Sequence, residues 1–245
     1  AVSASLRGGG VGLADDDEIA LRGAMRAGAA VPLVAAGGGD LARLIEAADG
    51  EGFTPWHGAI RVDLSARTTV RSWTSWNVAG LLPGRVEPDK LVVVTAHWDH
   101  LGLCRPAGAR DRICNGAVDN ASGVGGMIEM ARALVAGPRP DRSVLFLATT
   151  AEEMGLLGAR AYTRAPLRPL ADTVAALNLD TIALRPAAAP VALVGRGLST
   201  LDAMVIAAAE SQGRAMDDTD GADAFVRRSD AFAFLDAGVP AIVAT

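Results

Sequence analysis

The chain has 245 residues, half of them apolar and 21% charged, a balance that excludes disorder and predicts a packed core of one large domain, or one domain with a small appendage. Its net charge of −5 leaves no basic footprint for nucleic acid. No uninterrupted apolar run approaches the length of a membrane-spanning helix, and no basic-then-apolar leader opens the chain, so a signal peptide is read as absent or removed.

In chain order, Asp15-Asp16-Asp17-Glu18 precedes an apolar-periodic stretch (Ile19, Leu21, Met25) and predicts a short helix with acid at its N-terminus. Val31 to Ala35 reads as a strand, broken by Gly37-Gly38-Gly39. Asp40 caps a second helix carrying Leu41, Leu44 and Ile45. Residues 1–50 are too few to own a core and read as the remnant of an N-terminal region. Residues 51–245 read as one α/β domain.

Within that domain, Ala59 to Leu64 alternates apolar and polar residues, and Asn77 to Leu82 ends at Pro83-Gly84; both read as strands. Leu91 to Ala96 is a continuous β-rich run, the pattern of a strand buried on both faces. Gly123 to Val135 has helical periodicity. Ser143 to Thr149 is a second buried strand, Leu156 to Thr163 a helix, and Val174 to Leu179 and Val191 to Val194 are strands. Leu201 to Glu210 is a helix, Asp230 to Leu235 a short helix, and Pro240 to Val243 begins a strand. Strands alternating with helices predict a three-layer α/β/α sandwich around a mixed, mostly parallel sheet. Cys104 and Cys114 lie ten residues apart in a Gly/Arg-rich loop and are read equally as a disulfide or as two thiols; a local pair favours an oxidising compartment.

Groups of metal-ligand type stand at the C-terminal ends of the buried strands, where ligands bind in open α/β sheets. Ala96-His97-Trp98-Asp99-His100 comes after the first, Gly116 to Gly123 with Asp119 leads into a helix, Ala151-Glu152-Glu153-Met154-Gly155 comes after the next strand, and Asn178-Leu179-Asp180 after the next. Carboxylates converging in one crevice repel one another unless cations sit among them. Three carboxylates and an imidazole suit Zn²⁺ or a similar divalent ion. Asp99 stands two residues after His97, placed to accept the second ring N–H. Adjacent Glu152 and Glu153 suggest that one binds metal and the other accepts a proton from a metal-activated water. Together these residues indicate a metal-assisted hydrolase.

The ordered set His97-Trp98-Asp99-His100-Leu101-Gly102, Asn115 to Gly123, Ala151 to Gly158, Asn178-Leu179-Asp180, and Arg228-Ser229-Asp230 through Gly238-Val239-Pro240-Ala241 resembles the zinc exopeptidases of the aminopeptidase Y and bacterial leucyl aminopeptidase type, in the MH peptidase clan. The resemblance runs from about Phe53 to Thr245. It implies that Asp119 bridges two zinc ions, that His97 and Asp180 complete one site and that Glu153 belongs to the other. It also implies that Glu152 is the general base, that Asp99 supports His97, and that the Asp119–Asn120 peptide is cis. The implied reaction is hydrolysis of the first peptide bond of peptides or protein N-termini, in a secreted or periplasmic setting. Relatives often insert a protease-associated domain, whose tail residues 1–50 would represent.

Two departures stand out. The family's fifth ligand is a His well beyond the Gly-Val-Pro strand, whereas this chain has only His57, His97 and His100; truncation is the simplest expectation. Ala231 stands where relatives commonly carry His. A glutaminyl-cyclase-like transferase, a carboxypeptidase and a metal-poor binding module are the alternative readings. His57 and His100 are expected to be structural.

Overall fold

The computed structural model describes residues 13, 25–62, 69, 71–182, 186, 189–217 and 223–244. The chain divides into two compact units, one holding the described residues up to Ser72 apart from Leu13, the other running from Trp73.

In the first unit, Ala27–Ala36 is a helix (α1), where the sequence suggests a strand over Val31–Ala35. Alanines flank that run on both sides, and their helix propensity carries the helix through it despite Pro32, which lies inside α1. Helix α2 (Leu41–Ala48) begins as expected, with Asp40 Oδ1 accepting from the amides of Ala42 (2.9 Å) and Arg43 (3.3 Å). The helix expected from Asp15 lies outside the described residues up to 24, and Met25 is non-helical. Residues 59–62 form no strand; 63 and 64 lie outside the described set. Among the described residues no single helix is long and apolar enough to cross a membrane.

The second unit is built on a six-stranded sheet. Its strands are β1 (Val78–Leu82), β2 (Glu87–His97), β5 (Arg142–Thr149), β6 (Thr173–Leu179), β7 (Leu193–Val194) and β8 (Ala241–Ala244). The order is β1-β5-β2-β6-β8-β7; the four inner strands are mutually parallel, and β1 and β7 close the edges antiparallel. Between β2 and β5 lie a two-residue-per-strand hairpin (β3, Gly102–Leu103; β4, Ile113–Cys114) and helix α3 (Ala121–Ala136). Helix α4 (Leu157–Arg164) comes after β5, and α5 (Asp202–Ser211), α6 (Asp223–Val226) and α7 (Asp230–Asp236) precede β8. Cys104 and Cys114 are disulfide-bonded, which closes the hairpin.

Strand alternation divides the core between the two faces of the sheet. Leu91 and Val93 of β2, Leu145 and Leu147 of β5 and Ala176 of β6 join Tyr162 of α4 and Phe234 of α7 in one buried cluster. Val94, Ala96, Val144 and Leu179 pack with Met127 of α3 on the other. This is the three-layer α/β/α arrangement expected from the uninterrupted apolar strands. Because β2 pairs with β5 on one side and β6 on the other, the chain turns one way out of β2 and the opposite way out of β5. The loops therefore part above the C-terminal end of β2 and open a crevice there.

Candidate metal centre

Residues at the C-terminal ends of the inner strands, and in the loops just beyond them, line the crevice. His97 is the last residue of β2, with a ring only 1% exposed. Glu152 lies three residues beyond β5 and Asp180 directly after β6. Asp119 stands two residues before α3, and its peptide bond to Asn120 is cis, as the resemblance implies. Two residues at this rim hold left-handed backbone without being glycine: Ala151 (φ 54°), directly before Glu152, and Thr181 (φ 54°), directly after Asp180. Each such position costs on the order of 1–3 kcal/mol and is characteristic of sites where side chains are aimed rather than relaxed.

His97 Nε2 is the focus. It lies 3.1 Å from Asp119 Oδ1, 3.7 Å from Asp180 Oδ1 and 4.0 Å from Glu152 Oε2. The ligand atoms of His97, Asp119 and Asp180 all fall within 4.8 Å of one another, so these three could hold a metal ion. Donor atoms about 2.05 Å from a tetrahedral zinc stand roughly 3.3 Å apart, a spacing that the His97 distances bracket. Asp119 is half exposed, which leaves this face of the crevice open to an incoming ligand.

The other ring nitrogen is fixed differently from the sequence reading. His97 Nδ1 donates to the main-chain oxygen of Asp99 (3.1 Å), while the nearer Asp99 carboxylate oxygen is 3.7 Å away, too far for a hydrogen bond. The carboxylate instead accepts from the amides of Glu152 (3.1 Å) and Glu153 (3.4 Å), tying the loop after β2 to the loop after β5. A bond to a main-chain carbonyl still commits the ring to the tautomer with Nε2 free for metal.

Asn120 ties the remaining two ligand loops together. Its Oδ1 accepts from the amides of Gly123 (3.0 Å) and Thr181 (3.2 Å), and its Nδ2 donates to the Leu179 carbonyl (2.9 Å). It thereby caps α3 and clasps the end of β6, with Asp119 on one flank and Asp180 on the other. Residue 123 must be glycine here, because a Cβ would collide with Asn120 Oδ1 and the Leu179 carbonyl.

Glu153 is not among the mutually close ligand atoms. Its Oε1 pairs with His100 Nδ1 at 2.7 Å, so the structure gives His100 a specific partner in the crevice. A residue outside the predicted set also enters. Asp230, the first residue of α7, is fully buried; one oxygen accepts from the Thr149 hydroxyl and the other has no hydrogen-bond partner. Its neighbour Ala231 is 1% exposed, so the position that departs from the family pattern packs in the core rather than lining the crevice.

Without a cation, protons offset this crowding of acids. Burial pushes the Glu152 carboxyl up to about 8, reinforced by Asp230, Asp180 and Glu153 and opposed by His97. Burial works against a charged His97 ring, but the adjoining Asp180, with the charges of Glu152 and Asp230, outweighs it and raises His97 to about 10. Burial raises Asp230 to about 6 against the pull of Thr149 and His97. Glu153 is raised by burial and then by Asp119. An arrangement that must hold extra protons when empty has the chemistry of a cation site.

A sequence model of Peptidase family M28 matches residues 77–244. Mouse aminopeptidase NAALADL1 is 34% identical over 140 residues, which cover 54% of this chain and 17% of the mouse protein. Among solved structures, BSAP, a zinc aminopeptidase from Bacillus subtilis, superposes with a TM-score of 0.55 and 27% identity over 69% of this chain and 39% of its own. A glutaminyl cyclase from Porphyromonas gingivalis shares the fold, with a TM-score of 0.52 at 20% identity over 68% of this chain and 62% of its own. The chain thus spans well under half the length of the aminopeptidases it matches.

Proposed function

This chain belongs to peptidase family M28, and on that premise we propose that the protein is a zinc aminopeptidase that removes residues from the N-termini of peptides. The observation that carries the proposal is the cluster of His97, Asp119 and Asp180 with Glu152 4.0 Å from the same ring nitrogen: a cation site with a general base beside it. His97, Asp119 and Asp180 would hold one zinc ion, and Glu153 with Asp119 a second. Zinc bound there supplies Lewis-acid polarisation of the scissile carbonyl and lowers the pKa of a water molecule.

The chain's own groups perform the rest. Glu152, in its ionised form, takes the proton from the attacking water as its oxygen bonds to the carbonyl carbon. It then passes that proton to the departing amine as the C–N bond breaks. Asp99 holds the amides of Glu152 and Glu153, so the base and its neighbour are presented from one fixed turn. His97 is held by a main-chain carbonyl in the tautomer that binds metal. The Cys104–Cys114 bond supports a location in an oxidising compartment, secreted or periplasmic.

The test is a panel of aminoacyl-4-nitroanilides given to the full-length, zinc-loaded protein. We expect release that chelation abolishes and zinc restores. No zinc-dependent release from any member of the panel refutes the reading, and pyroglutamate formation from an N-terminal Gln peptide in its place would assign the cyclase reaction instead.

A further inference from the structure

The hairpin side of the crevice holds an imidazole to which the proposed reaction gives no task. His100 and Glu153 are each about one-fifth exposed, with Nδ1 and Oε1 2.7 Å apart. That length decides what the contact is. Two ligands of one tetrahedral zinc stand roughly 3.3 Å apart, and at 2.7 Å they would force a much narrower angle at the ion. A charge-assisted N–H···O bond is 2.7–2.9 Å long. The contact is therefore a hydrogen bond, and it leaves Glu153 Oε2 for another partner.

Two further contacts give the pair its setting. Asp99, the residue before His100, holds the Glu153 amide (3.4 Å), so consecutive residues of one loop grip the main chain and the side-chain tip of Glu153. The ring rests against Gly116 (φ 66°), where a Cβ would come within 2.8 Å of His100 Cβ and Cδ2. Gly116 begins the turn that carries Asp119, its carbonyl accepting from Ala121 N at 3.0 Å. His100 thus stands between the Asp119 turn and Glu153.

We propose that His100 is the positioning residue of a second metal site, donating Nδ1–H to Glu153 Oε1 so that Oε2 is aimed at an ion shared with Asp119. The inference rests on the proposed metal centre, but its readout counts ions rather than turnover, so its failure and that of the peptidase reading are distinguishable.

The experiment titrates the full, metal-stripped chain with chelator-buffered zinc and measures bound zinc per chain for the wild type, H100L and H100N. H100L keeps bulk without a donor; H100N places an amide N–H near the Nδ1 position. The wild type is expected to take up two equivalents. H100L should weaken the second about 10–100-fold, the usual cost of losing a group that orients a ligand, while leaving the first unchanged; H100N should restore it. In ¹⁵N-histidine spectra of the zinc-loaded wild type, Nδ1 of His100 should remain protonated. One equivalent in the wild type, an unweakened second equivalent in H100L, or a zinc-coordinated Nδ1 would each overturn the proposal. If H100L does not fold, H100N and the spectrum decide alone: loss of the second equivalent in H100N refutes it.

Discussion

Asn120→Ala is the substitution through which the structure commits itself most sharply. The side chain is 1% exposed and makes three hydrogen bonds, to Gly123 N, Thr181 N and Leu179 O. The first is an N-cap, worth about 1 kcal/mol. Of the other two, the bond to the Leu179 carbonyl is buried and the one from the Thr181 amide partly so, and truncation removes both at about 1–1.5 kcal/mol each. The sum is about 3–4 kcal/mol, which for a domain of this size lowers the melting temperature by roughly 6–16 °C. Thermal and urea unfolding of the metal-free protein measure it. Asn120→Asp sharpens the test: it keeps the acceptor for both amides but sets an oxygen against the Leu179 carbonyl where Nδ2 now donates at 2.9 Å. That variant should be destabilised at pH 7 and recover as its carboxyl protonates. An Asn120→Ala protein within about 1 kcal/mol of wild type, a loss far smaller than the sum of the three bonds, or an Asn120→Asp protein as stable as wild type at pH 7, would refute the assignment of Asn120 as the clasp between the Asp119 and Asp180 loops.

Three other outcomes are expected from the same geometry. Glu152→Gln should lower turnover of an aminoacyl-anilide about 10²–10⁴-fold with zinc content unchanged, measured by steady-state kinetics alongside metal analysis; turnover within tenfold of wild type would remove Glu152 from the proton path. Metal-free stability should fall as pH rises. Glu152 and His97 hold protons that the unfolded chain releases near 4.5 and 6.5, so their stabilisation is full below those values and lost as pH passes about 8 and about 10. Zinc at His97 Nε2 must displace that proton, so zinc affinity should rise with pH over the same range; calorimetry in buffers of different ionisation enthalpy reads the proton release, and a pH-independent affinity would contradict it. Replacing both Cys104 and Cys114 by Ser should cost about 2.5–3 kcal/mol on the chain-entropy account of a loop of this length, read as a shift in urea midpoint.

The sheet is legible in the sequence because its inner strands are buried on both faces. Leu91 to Ala96 and Ser143 to Thr149 leave no polar alternation to misread, and the polar residue that ends each run marks the crevice. Val31 to Ala35 misleads for the opposite reason: five apolar residues fit either period, and only the alanines beyond them decide for helix. The β3–β4 hairpin is too short to leave a pattern at all. At the site, residue identity points to His97, Asp119 and Asp180, but not to connections made through the backbone. That Asp99 holds His97 by its carbonyl and Glu152 by its carboxylate depends on where the main chain turns, and two residues of spacing suit either arrangement. Asp230 is visible as part of a Ser-Asp pair opening a short helix. Its burial beneath Thr149, which makes it an electrostatic neighbour of His97, depends on how α7 packs on the sheet.

The fold and the charge pattern are two sides of one constraint. A sheet whose inner strands are mostly apolar gathers its ionisable groups at the strand ends, and the switch in chain direction above β2 brings three such ends into one opening. Acids from separate loops then meet at distances set by the 4.7–4.9 Å strand spacing rather than by their mutual repulsion. Main-chain amides satisfy Asp99, and Thr149 half satisfies Asp230. Protons on Glu152 and His97 offset part of what remains. Each of those protons sits on a group that metal-assisted hydrolysis needs free: His97 Nε2 to bind the ion and Glu152 to accept from water. On the proposed function, His97, Asp119 and Asp180 would hold a divalent cation whose charge offsets the acids and leaves both groups free. On that proposal, metal binding and ionisation of Glu152 would be one equilibrium in this crevice, not two successive requirements.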